Sequence, residues 1–443
     1  MRNFILEQSS SEIYTSSAGL ALGGLCLNKH TPLVKSLRTI TKRHGIANID
    51  LVRTYLGLML SGKSDFEAVD LVRNDPFFKE AMGIKQSPSA SRLRQRFDED
   101  ARALIPLLDE ASIAFLQSVQ APITPLKTGH VALDMDVFPQ DNGRTKKEGV
   151  SRTYKDKIDG YAPIASYLGN EGWCICCELR PGAQHSQNEF SYTLDRILPR
   201  VRALTSAPIL ARLDSGHDAK DNRERFRVEE MDYLIKWNPR KQDPLDWYTL
   251  ANEQGADWSD PRPGKRIAVF SITRYDGKKD EEMRPYRLVV RLVIRMFDRH
   301  GQGFLEPQFE LEGWTTSLAE ENYDNETIIQ LYRDHATSEQ FHSEFKTDLD
   351  LERLPSGKFD TNDLVMAFGV LAYNILRWMG ITALLGKDSP VRHPAKRRRL
   401  RTVMQEIIGV AGRMMERGRR LVLRFGKHSP GFKAYGQLQQ LLT

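Results

Sequence analysis

The sequence predicts an α/β protein: a layered mixed sheet with helices, interrupted by a β-rich insertion and flanked by helical regions at both ends. Three observations predict it. Apolar spacing changes from helical to alternating near residue 130. The order then reads three strands, a helix, a strand, a helix and a strand. A stretch punctuated by Pro, Gly and charge follows, before helical spacing resumes near residue 319.

Each element has its own signal. Residues 1–28 are polar, then small and apolar, and read as a loosely ordered arm. Residues 45–120 place Val52, Tyr55, Leu56, Leu58 and Met59 at helical spacing. Pro88-Ser-Ala-Ser91 caps a run with Arg92, Arg94 and Arg96, which is either a DNA-contacting helix or an exposed basic helix of a bundle. Residues 130–136, 161–168 and 173–179 read as strands, the last two joined by the hairpin turn Gly169-Asn-Glu-Gly172. A helix covers about residues 186–204, a strand residues 208–214, and a further strand residues 232–237 after a charged helix. Alternating runs at 266–273 and 286–295 make the insertion β-rich; a helix bearing Glu339 and an apolar helical run over 359–385 come next. This divides the chain into an amino-terminal helical region (1–125), the first core segment (126–238), the insertion (239–318), the second core segment (319–385) and a basic helical tail (386–443).

Length and charge bound the function. The 443 residues suffice for two to four packed units, with 40% apolar and 28% charged residues, as in ordinary globular chains. The net charge is +6, but residues 391–443 hold thirteen Lys/Arg against two Asp/Glu, leaving 51 basic against 56 acidic residues elsewhere. A basic tail suits a polyanion such as DNA; a solvated basic helix is the alternative. Cys174, Cys176 and Cys177 read as fillers of a buried strand, and Cys26 does not complete a zinc site. Few cysteines without a pairing framework fit a reducing cytoplasm. No segment is expected to span a membrane, and the short apolar run at 18–27 lacks the basic leader of a signal peptide.

The chemistry is expected from carboxylates. Asp136 and Asp214 end strands, and Glu339 lies on a helix beyond the insertion. Desolvated neighbouring acids repel unless a cation holds them. Oxygen ligands with open positions suit Mg²⁺ or Mn²⁺, and two such ions can activate a water and stabilise a leaving oxygen in phosphodiester cleavage. Each acid alone reads better as a turn residue or cap; what favours the site is that all three fall where one fold could gather them. Tyr332, Glu339 and Lys346 recur at seven-residue intervals, with His335 and His342 in the same stripe. On one helix that spacing gives a polar face suited to a metal ion and a phosphate.

A set of motifs carries a family resemblance. They are Leu133-Asp-Met-Asp-Val-Phe-Pro-Gln-Asp-Asn142, Lys146-Lys-Glu-Gly-Val-Ser-Arg-Thr-Tyr-Lys155, Asp159-Gly-Tyr-Ala-Pro163, Glu178-Leu-Arg-Pro-Gly182 and Arg212-Leu-Asp-Ser-Gly216. Residues 338–348 and 352–359 complete the set. Over at least residues 130–380 the chain resembles DDE-type insertion-sequence transposases, above all the insertion-sequence 1380 branch. The strand order matches their ribonuclease-H-like core. The resemblance implies a triad of Asp136, Asp214 and Glu339 holding two Mg²⁺ or Mn²⁺ ions, with Asp134 a supporting or alternative first ligand. Tyr332 and Lys346 match the outer members of the family signature around Glu339 and imply phosphate contacts. The signature's Arg position is His335 here, with Arg333 nearby, and Phe138 replaces a frequent hydroxyl. Lys147, Arg152 and Lys155 read as either the DNA path or a solvated loop, and Arg180 as a further phosphate contact. Trp314 is read as core before base stacking, and His185 and His217 as hydrogen-bonded structural residues.

The resemblance implies a bacterial, cytoplasmic enzyme that cuts element ends and joins the freed 3′-hydroxyl to target DNA. Its partners would be double-stranded terminal repeats, target DNA and a second copy of itself. A nuclease without joining activity and an inactive DNA-binding relic are the alternatives.

Overall fold

The computed structural model describes residues 3–40, 45–277, 283–298, 300–391 and 397–443. Expectations touching residues 1–2, 41–44, 278–282, 299 and 392–396 lie outside that set, the last including Arg392 and Lys396 of the basic tail.

The amino-terminal region is helical. Helices α1 (Leu20–His30), α2 (Asn48–Leu60) and α3 (Ala90–Ser118) are its main elements. The expected loose arm at 1–28 is corrected in its second half, where α1 is buried through Leu22, Cys26 and Leu27. Its glycines read as disorder in the sequence but serve close packing. A Cβ on Gly24 would sit 1.9 Å from the Ala81 carbonyl. Ser89 caps α3 by accepting from the Arg92 N–H at 3.2 Å. The α3 arginines divide: Arg94 pairs with Glu67 at the surface, while Arg96 is buried against Asp100.

Among the described residues, the centre is a nine-stranded mixed sheet. Its core strands are β1 (Val131–Val137), β2 (Ile164–Leu168), β3 (Trp173–Glu178), β4 (Ile209–Leu213) and β5 (Asp232–Lys236). Helices α4 (Phe190–Leu204) and α5 (Lys220–Val228) make the crossovers. The core order is β3-β2-β1-β4-β5, with β1, β4 and β5 parallel, β2 antiparallel to β1, and β3 antiparallel to β2 and so aligned with the rest. This is the ribonuclease-H-like arrangement expected from the strand order. β4 is buried throughout, as parallel strands covered on both faces must be.

The insertion extends this sheet instead of standing apart. It contains helix α6 (Pro244–Glu253) and strands β6 (Asp257–Arg262), β7 (Lys265–Asp276), β8 (Arg284–Phe297) and β9 (Gly303–Thr316). β9 returns to pair with β5, Trp314 opposite Lys236. Strand alternation gives the insertion two faces. Leu288, Val290 and Leu292 pack on Trp247 and Ala251 of α6, while Val289 and Trp314 pack toward the helix that follows.

That helix is α7 (Asn325–His335), followed by α8 (Thr337–Ser343) and a π-helical turn, Glu344–Asp348. Helix α9 (Phe359–Ala383) then runs through the core. By length and composition α9 could cross a membrane, which corrects the expectation that no segment comes close. Yet 94% of its most apolar stretch is buried inside the protein, where it packs on α3 and β3. Phe368 of α9 meets Tyr55 and Phe97 at 4.9 and 5.3 Å, so the amino-terminal helices and the central sheet share one core. The tail is not helical throughout. A hairpin, Gly412–Arg417 and Arg420–Phe425, pairs with Ile13–Thr15 before the final helix α10 (Phe432–Leu442) packs on α1.

Candidate active site

Register alone brings the two aspartates together. In the parallel β1–β4 pair, Asp134 stands opposite Arg212 and Met135 opposite Leu213. Asp214 directly follows β4, so the same register carries it to Asp136. Alternation then puts Asp134, Asp136, Arg212 and Asp214 on one face. Asp136 is buried and its Oδ1 accepts from the Val137 N–H at 2.7 Å. Burial, then the charge of Asp214, pushes the Asp136 carboxyl up to about 6. Asp214 is half-buried and caps the turn Ser215–His217, accepting from the Gly216 N–H at 3.0 Å.

Asp134 has a different environment. Arg212 grips it through Nε at 2.6 Å and Nη2 at 2.8 Å, and His335 Nδ1 lies 2.9 Å from Oδ1. Burial opposes its charge, but Arg212 and His335 prevail and hold its carboxyl below the usual range. Arg212 also donates to the Leu331 carbonyl at 2.8 Å, tying α7 to β4. Both Asp134 oxygens are therefore engaged, and the reading of Asp134 as a metal ligand meets a bidentate ion pair instead.

Glu339 opens into the same cleft as Asp136. The cleft has a volume of about 320 Å³, and Lys155, His342, Ser343, Lys346 and Glu352 also line it. Tyr332, Glu339 and Lys346 do not share one continuous helix. They fall on α7, on the first turn of α8 and on the π-helical turn, with Ala336 ending α7 and starting α8. Glu339 and Lys346 still meet at the cleft, whereas Tyr332 turns toward the aspartates. Burial and then the charges of Asp214, Asp136 and Asp134 raise its phenol well above the ordinary value.

The cationic residues separate into three groups. At the cleft, Lys155 Nζ stands 3.8 Å from Asp136 Oδ2, and Lys346 donates to the Pro139 carbonyl at 2.7 Å and pairs with Glu352 at 3.0 Å. On the surface, Arg333 is exposed and Arg152 lies 3.6 Å from Asp159. Turned into the fold, Arg180 is buried against Glu178, Thr193 and Ser186, half-buried Lys147 binds Asn142 and the Leu354 carbonyl, and buried His335 binds Asp134. Arg180 and His335 were expected to contact DNA and Lys147 to line the DNA path or a solvated loop; instead all three make hydrogen bonds within the fold. His217 is corrected too: it is buried against Phe190 at 4.3 Å and neither ring nitrogen has a hydrogen-bond partner.

Other side chains surround these groups. Phe138 stacks on His342 at 4.7 Å, filling the place of the expected hydroxyl. Burial holds the His342 imidazole down to about 3, so it is neutral 3.9 Å from Asp136. Trp314 is buried, as read, beneath the Lys236 ammonium at 4.4 Å. Nothing local in the sequence marks Lys236, which pairs with Glu312 of β9 at 2.8 Å.

The donor set is all carboxylate and fits a hard divalent cation. Two facing aspartates, one with a raised carboxyl, are what such a cation relieves. Among the described residues, however, no three His, Cys, Asp or Glu side chains converge closely enough to form a metal-holding group as they stand.

Residues 32–443 match the family described as transposase DDE domain, group 1. No curated protein matches the chain. A solved structure similar to it is a piggyBac transposase synaptic complex with hairpin DNA. It shares 10% identity at a TM-score of 0.41, over 90% of this chain and 83% of that one.

Proposed function

Because the chain belongs to the transposase DDE domain family, group 1, we propose that it cuts phosphodiester bonds at the ends of a DNA element and joins the freed 3′-hydroxyl to target DNA. The carrying observation is that Asp214, just past β4, lies close enough to Asp136 on the neighbouring strand to raise its carboxyl, while Glu339 lines the cleft that Asp136 opens into. These three would hold two Mg²⁺ or Mn²⁺ ions, which when bound supply an activated water and charge neutralisation at the leaving oxygen. The chain does the rest. Arg212 and His335 clamp Asp134 and so fix the β1–β4 register that sets the aspartate spacing. Lys155 and Lys346 offer ammonium groups to the phosphates flanking the cut. His342, neutral and packed on Phe138, walls the cleft and keeps water from its floor.

We assign the chain to the insertion-sequence 1380 branch on the motifs around Asp136, Asp214 and Glu339, as a bacterial cytoplasmic enzyme acting as a dimer on paired element ends. The test is a duplex bearing the inverted repeats that flank the coding region. Wild-type protein should cut it and join a pre-cut end to a second duplex. Asp214→Asn should bind it within about threefold of wild type while losing cleavage by about 10³-fold or more. Cutting without joined product would leave a nuclease; unchanged cutting by the variant would remove Asp214 from the chemistry.

A further inference from the structure

α8, which bears Glu339, and the π-helical turn that follows it carry a second row of contacts beside the cleft, made by the tail. Arg397 donates to Glu344 at 2.5 Å and to Gln340 at 2.7 Å. Arg399 donates from Nε to both Asp348 oxygens at 2.9 and 3.1 Å, and from Nη2 to Ser343 Oγ at 3.1 Å. Arg401 lies 3.6 Å from the same carboxylate, and its backbone N–H donates to it at 3.1 Å. Ser343 lines the cleft with Asp136 and Glu339, so the arginines run along the neighbouring stripe of the same helix.

The charges do not balance. Arg377 also binds Glu344, at 2.7 Å, so among the described residues two carboxylates face four guanidiniums. Arg377 and Arg397 are interior, stacked over Phe341 at 5.6 and 4.5 Å. Arg399 and Arg401 are 47% and 56% exposed, while Asp348 beneath them is fully covered. One arginine would suffice to neutralise a buried carboxylate. The second leaves surplus positive charge at the surface. A guanidinium anchored along one edge keeps its remaining N–H groups for another acceptor, and phosphate fits that fork.

We propose that Arg399 and Arg401 form a phosphate clasp for the DNA strand that enters the cleft. The inference rests on the transposase reading and specifies how its substrate is positioned. A clasp fixed to the Glu339 helix sets the register of the scissile bond; a free basic tail would only add affinity. Both arginines are positioning residues.

The experiment measures affinity for an element-end duplex across a salt series, with single-turnover cleavage beside it. Arg399→Gln/Arg401→Gln removes the clasp but leaves Asp348 buried without a side-chain partner. The triple variant adding Asp348→Asn removes that strain. The clasp predicts that both variants lose about 1.8 from the magnitude of the log–log salt slope, for two phosphate contacts. It also predicts that Arg399→Lys/Arg401→Lys keeps the slope while cutting more slowly or less accurately. A purely structural role predicts an unchanged slope, with the triple variant recovering whatever the double loses; that result overturns the inference and leaves the transposase reading standing. Wild-type protein that neither binds nor cuts the duplex would overturn both.

Discussion

At the scale of single residues, neighbouring acids behave oppositely because their neighbours differ. Asp136 has a carboxyl raised to about 6 by burial and by Asp214. Between about pH 4 and 6 the folded protein therefore keeps a proton that the unfolded chain has lost. Stability falls through that window, and the loss is complete above it. Asp136→Asn should accordingly raise stability at pH 7.5 without divalent ions, by about 1–3 kcal/mol, and flatten the pH dependence of denaturant unfolding. A variant less stable than wild type at that pH would show that the aspartates do not repel. Asp134 predicts the reverse. Removing it leaves Arg212 buried and unpaired, so Asp134→Ala should cost about 3–5 kcal/mol in the same unfolding experiment. An Asp134→Ala protein of normal stability would contradict the clamp. The sequence marks both acids, and strand alternation puts them on one face. It does not distinguish them, because Arg212 and His335 reach Asp134 across 78 and 201 residues.

At the scale of elements, the site depends on how α8 is seated. The hairpin glycine Gly172 has φ of +72°, and a Cβ there would lie 2.2 Å from the Phe341 ring. Phe341 is two residues beyond Glu339, so the β2–β3 turn directly supports the helix that presents the glutamate. Gly172→Ala should cost about 1–3 kcal/mol and slow cleavage by more than the unfolded fraction explains, as read by single-turnover rates on fully folded protein. A rate equal to wild type would mean that α8 does not depend on this turn. The strands, the hairpin and their order were legible, because turn glycines and alternating runs are local signals. The break at Ala336 was not, because helical spacing continues on both sides of it. The joining of β9 to β5 was equally hidden, since it is made by a chain that leaves the core at Lys236 and returns 78 positions later, at Trp314 opposite it.

At the scale of the whole molecule, the basic tail is part of the fold. Its hairpin completes a sheet with Ile13–Thr15, and α10 buries Tyr435, Leu438 and Leu442. Removing residues 432–443 should therefore cost about 4–8 kcal/mol, estimated from three buried side chains, and lower the melting temperature sharply. A truncated protein that melts like the full chain would restore the picture of a free appendage. Composition showed where the positive charge lies but not what it touches, since Glu344 and Asp348 lie about 50 residues before the arginines they hold.

The account rests on Asp136, Asp214 and Glu339 acting together on divalent ions. The most direct measurement is a Mn²⁺ titration followed by electron paramagnetic resonance at pH 7.5, on wild type, Asp136→Asn, Asp214→Asn and Glu339→Gln, each with the cut element end bound. Saturable binding by wild type, weakened about tenfold or more in every variant, is the predicted result. Wild-type affinity in the Glu339→Gln protein would contradict the shared site.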